Sequence, residues 1–117
     1  MDYLPIWLGQ AAQDQLSKAE FSERWLGVRA QVEERCKSLE CEYRERERSQ
    51  FGCRWRYRWR RAMRGLYRQE IATYRFLEAT LNTFMAEGGQ GRLNLARELW
   101  GRLEELWRRK VRALSSL

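Results

Sequence analysis

"CRWRYRWRRAMRGLYRQ", residues 53–69, can be read in two ways, and the choice decides the fold. As a strand it puts Arg54, Arg56, Arg58 and Arg60 on one face and Trp55, Tyr57 and Trp59 on the other. The alternation breaks at Arg61, where no turn residue closes the run. At 100° per residue a longer order takes over. Trp55, Trp59, Ala62, Met63, Leu66, Tyr67, Tyr74, Leu77, Leu81, Phe84 and Met85 then share an arc of about 140°. Arg54, Arg58, Arg61, Arg64, Arg68 and Arg75 share an opposite arc of about 120°. The helical pattern runs from 53 to 86, whereas the strand pattern stops after 60. The spacing therefore predicts a helix over 53–86, about 50 Å long.

On the N-terminal side, "SKAE" at 17–20 has the spacing of a capping box, in which Ser17 and Glu20 satisfy each other's backbone donors. Phe21, Trp25, Val28, Val32, Cys36, Leu39 and Tyr43 follow at intervals of three and four, a narrow seam on a helix over 18–50. Glu20–Arg24, Glu33–Lys37, Glu40–Arg44 and Glu42–Arg46 are i, i+4 pairs in the favourable order. "SQFG" at 49–52 ends that helix, with Gly52 suited to a left-handed C-terminal position. Before it, residues 2–15 hold Pro5 ahead of Ile6, Trp7, Leu8, Ala11 and Ala12, which suits a short helix or docking arm.

On the C-terminal side, "EGGQG" at 87–91 is the strongest breaker in the chain. Ala96, Leu99, Trp100, Leu103, Leu106, Trp107, Val111 and Leu114 then mark a helix over 92–114. Its basic end, "RRKVR" at 108–112, complements the helix dipole. Short connections force neighbouring helices to run antiparallel. The expected fold is all-α: an elongated antiparallel three-helix bundle, a long hairpin plus a C-terminal helix, with the N-terminal arm. The 117 residues form one domain. The third helix is shorter than the hairpin and leaves part of its seam for self-association or a partner.

Charge is concentrated on the central helix. The chain carries 23 basic and 16 acidic residues, a net charge of +7. Between Glu47 and Glu70 there is no acid and there are eight arginines; without those eight, 15 basic residues face 16 acidic ones. Only Lys18, Lys37 and Lys110 are lysines. Arginine binds phosphate bidentately and is weakly hydrated, so the preference favours contact with a polyanion over mere solubility. Arg54, Arg61, Arg68 and Arg75 repeat every seven residues in a row about 30 Å long, with Arg58 and Arg64 beside it. Trp55, Tyr57 and Trp59 stand near its start, where rings can stack on unpaired bases. The six arginines with Trp55 and Tyr57 form the candidate interface for the backbone of DNA or RNA. Internal pairing is the competing reading: a turn near 50–52 places Glu40, Glu42, Glu45 and Glu47 beside Arg54 to Arg61. The tryptophans, likewise, are more often core than ligand platform.

Several chemistries have little to work with. Without histidine there is no Ser–His or Cys–His pair and no imidazole ligand, so Cys36, Cys41 and Cys53 fall short of a four-ligand zinc site. An odd number of irregularly spaced cysteines gives no disulfide framework. "GGQG" precedes a helix but lacks the lysine of a phosphate-binding loop and reads as a turn. No catalytic residue and no cofactor is expected. "YLPIWLG" near the start is too short for a membrane span or a signal sequence, and the expected location is cytoplasmic. Glu70 stands apart, because it projects into the middle of the apolar arc, where an ionised carboxylate is costly unless paired. A buried ion pair with an arginine of a neighbouring helix, or a place at the rim of the core, is the expected resolution, ahead of a tuned acid.

The function expected from this pattern is a small basic nucleic-acid-binding module, a non-catalytic subunit of a larger nucleoprotein complex. The alternative is a protein-binding adaptor, assembly factor or inhibitor. A membrane-surface role competes poorly, since the apolar face is needed for the core.

Overall fold

The computed structural model describes residues 18–48 and 53–116, and the arm expected at 2–15 lies outside them, as does Ser17 of the capping box. Three helices make up the described chain: α1 (Lys18–Arg48), α2 (Cys53–Glu87) and α3 (Gln90–Ser115). No strand occurs among the described residues. The run from 53 is helical because only a period of 3.6 puts its apolar residues on one side. The described residues measure 54 × 22 × 18 Å, as expected of an elongated bundle.

α2 is the spine. Both outer helices pack on it, but their backbones do not approach within 8 Å of each other. The α1 seam buries Phe21, Trp25, Val32, Cys36 and Leu39 against Trp59, Met63, Tyr67, Tyr74, Leu77 and Leu81 of α2. On the other flank, α3 contributes Leu93, Ala96, Leu99, Trp100 and Leu103. Aromatic contacts set the register of the hairpin. Phe21 meets Phe84 edge-on at 4.7 Å, and Tyr43 stacks on Trp59 at 5.3 Å. Trp25 also donates from Nε1 to Asn82 Oδ1 at 2.8 Å, satisfying a buried indole.

That register corrects part of the charge pairing read from sequence. Glu47 does meet Arg60, at 3.0 Å, but Glu40 reaches Arg75 and Glu42 accepts from the Tyr67 hydroxyl. Two of the four acids expected beside Arg54–Arg61 therefore meet residues further along α2. Of the expected i, i+4 pairs, Glu42–Arg46 forms at 3.5 Å, while Glu33 turns back to Arg29 and Glu40 crosses the hairpin. Long side chains reach diagonally, so packing of the rings, and not charge matching, decides who meets whom.

The α2–α3 turn is tighter than expected. Only Gly88 (φ 75°) and Gly89 (φ 105°) leave the helix, so α3 starts at Gln90 and takes in Gly91. Both φ values are in the left-handed range that glycine adopts without strain. Arg92 clamps the turn, donating to the Gly88 carbonyl at 2.7 Å and to Glu87 at 3.0 Å. At the other end of α3 the apolar stripe is not buried as expected. Val111 is 64% and Leu114 42% exposed, because they border a cleft between α1 and α3 that no described residue fills.

Candidate nucleic-acid interface

α2 turns its arginine face outward along its length. Arg54, Arg58, Arg61, Arg64, Arg68 and Arg75 are all exposed. Arg75 is held by Glu40 at 3.1 Å; among the described residues the other five have no acidic partner. Arg60, one position off the row, is taken by Glu47. The structure thus divides the basic stretch into a paired edge facing α1 and a free face. Tyr57, Arg60, Arg61, Arg64, Gly65 and Arg68 line a shallow concavity on that face.

The aromatic candidates separate. Tyr57 is exposed beside the arginines, whereas Trp55 is half-buried and packs against the core. Trp59 is fully buried in the hairpin. The same 100° rule that identifies the helix contains this result. Residues 55 and 59 sit across the helix from 57, so adjacency in sequence does not bring the three rings together.

On the opposite side of α2, Glu70 is completely buried, as the apolar arc requires. Its partner is Lys110 of α3, Nζ to Oε2 at 3.0 Å, and not an arginine. The lysine stem packs inward while its ammonium group sits 4.7 Å from the centroid of the Tyr67 ring. Tyr67 in turn donates to Glu42 Oε1 at 2.7 Å. This chain of contacts ties α1, α2 and α3 together where the outer backbones are too far apart to touch. No sequence signal singles out Lys110, because its pairing depends on how far α3 slides along α2. The cleft beside it holds about 470 Å³ and is walled by Arg35, Trp59, Met63, Tyr74, Trp107 and Val111, among others.

Burial, reinforced by the Glu42 hydrogen bond, pushes the Tyr67 hydroxyl well above the usual tyrosine range. Burial together with the nearby Glu70 carboxylate pushes Tyr74 up to about 12. Both groups are neutral when folded and ionise near pH 10 when unfolded, so their stabilisation is complete below pH ~10. It disappears as the pH rises toward the folded values. Between pH 10 and 12, Tyr74 alone is expected to cost on the order of 2 kcal/mol. Urea midpoints followed by circular dichroism should therefore fall steeply above pH ~10; a flat profile would mean that the tyrosines are not buried.

Among the described residues, no group of three or more cysteine, aspartate or glutamate side chains is placed to hold a metal ion. Burial raises the Cys36 thiol above its ordinary range, and Cys41 is exposed. No helix among the described residues is long and apolar enough to cross a membrane. Fold and surface together define a small all-α protein with a basic helix face. No protein-family model, curated protein or solved structure matches the chain.

Proposed function

We propose that this protein is a helical nucleic-acid-binding module, a non-catalytic subunit of a larger nucleoprotein complex, that grips the phosphate backbone through the arginine face of α2. One observation carries the reading: Arg54, Arg58, Arg61, Arg64 and Arg68 are exposed on one face with no acidic partner among the described residues. Such a face works against the helix that bears it. Arg54–Arg58, Arg58–Arg61, Arg61–Arg64 and Arg64–Arg68 are like-charge neighbours at three or four residues, each costing about 0.2–0.5 kcal/mol. A face that served solubility alone would intersperse both signs. A polyanion converts the repulsion into bidentate contacts.

Binding through these arginines is expected to depend little on base sequence and strongly on salt. Five phosphates neutralised give a log–log slope of about −4 to −5 on duplex DNA. Titrations at several salt concentrations measure it, and a slope near zero would remove the arginine face as the contact surface.

A second reading, a protein-binding adaptor, assembly factor or inhibitor, draws on the cleft between α1 and α3 and its exposed rim of Val111 and Leu114. Exposed apolar residues beside a groove suit a partner helix. The two readings part on which surface, once altered, costs the protein its partner.

A further inference from the structure

Three aromatic rings open α2, and only Tyr57 remains available, 64% exposed on the free basic face. Tyr57, Arg61, Arg64 and Arg68 fall within about 60° of one another around the helix axis. Gly65 adds no side chain to the concavity they line, and a Cβ built there meets nothing within 4 Å. Nothing within the described protein demands glycine at this position, although glycine weakens a helix interior relative to alanine. Gly27, Gly91 and Gly101 are equally open but belong to the outer helices, outside this concavity. The features combine naturally with one ligand class. An unpaired base offers a face for stacking on an aromatic ring, and a base inside a duplex does not. A bare patch of helix beside the ring allows a strand to lie close, and the arginines lie along its path.

Resting on the nucleic-acid reading above, we propose that this concavity is a seat for single-stranded nucleic acid. One unpaired base stacks on Tyr57. The missing side chain at Gly65 lets the strand approach the helix, and Arg61, Arg64 and Arg68 hold the phosphates that follow. From Tyr57 to Arg68 the seat spans about 16 Å, room for a few nucleotides.

Fluorescence anisotropy with a labelled single-stranded oligonucleotide of mixed sequence and its matching duplex, at one fixed salt concentration, tests the proposal. The ratio of single-strand to duplex affinity is expected to fall about tenfold in Tyr57→Ala and to be retained in Tyr57→Phe. Gly65→Ala is expected to lower the same ratio while melting no earlier than the parent, since alanine is the better helix former. If Tyr57→Ala lowers both affinities by the same factor, or neither, the seat is overturned and the arginine face still stands as a backbone contact. Parent protein that binds the duplex and not the single strand also overturns the seat alone. Parent protein that binds neither overturns the seat and the nucleic-acid reading together.

Discussion

Replacing Lys110 with methionine is expected to destabilise the protein by about 3–5 kcal/mol, the loss typical of a buried charge deprived of its partner. Domains of ordinary stability hold only about 5–15 kcal/mol, so much of the folded margin would go. Glu70 is fully buried and Lys110 only 12% exposed at the side chain, so water cannot substitute for the lost ammonium group. Glu70 Oε1 already has no hydrogen-bond partner, which leaves the Lys110 contact to carry the carboxylate. The substitution also removes the cation above Tyr67, loosening the hold of α3 on the α1–α2 hairpin. The double variant Glu70→Leu with Lys110→Met should recover most of the loss, because an apolar pair of similar volume dispenses with both desolvation costs. Urea unfolding of the three proteins gives the comparison. A single variant that loses less than about 1 kcal/mol, as an exposed pair would, contradicts the buried placement.

The second large effect concerns binding and leaves the fold intact. Changing Arg58, Arg61, Arg64 and Arg68 together to glutamine is expected to weaken polyanion binding by about two to three orders of magnitude at low salt, and to reduce the slope on duplex DNA by roughly 3 to 4. The melting temperature should stay level or rise slightly. Glutamine nearly matches arginine in helix propensity and keeps part of the stem's packing, while the like-charge repulsion disappears. This opposite movement of affinity and stability separates the readings. If the arginines serve internal pairing, the hairpin weakens and polyanion binding changes little. If the protein is an adaptor using the α1–α3 cleft, both quantities hold steady and only a protein partner's affinity responds to changes at Trp107, Val111 or Leu114.

Most of the architecture was legible in the spacing of residues. Every residue of the apolar arcs read on α1 and α2, from Phe21 to Tyr43 and from Trp55 to Met85, is buried or half-buried. Local chemistry also marked the α2–α3 turn: α3 begins at Gln90, directly after Gly88 and Gly89, whereas the signals at Ser17 and at 49–52 lie outside the described residues. Helical periodicity is a property of the chain's own geometry, so it can be read without knowing what packs where. The same periodicity placed Arg54, Arg58, Arg61, Arg64, Arg68 and Arg75 on one face, and it places Tyr57 with them and Trp55 against the core.

Relations between helices are of a different kind. Whether Arg75 is free or held by Glu40, whether Glu70 meets an arginine or Lys110, and whether Leu114 is buried or borders a cleft depend on how far one helix slides along another. That offset arises from a few large rings, Phe21 on Phe84 and Tyr43 on Trp59, finding a fit in three dimensions. A shift of one turn preserves every face and exchanges every partner, because a helix repeats its surface every 5.4 Å. Sequence alone therefore determined the helices, their faces and the basic character of one of them. Tertiary packing decided which charges on those faces are spent on neighbours and which remain free.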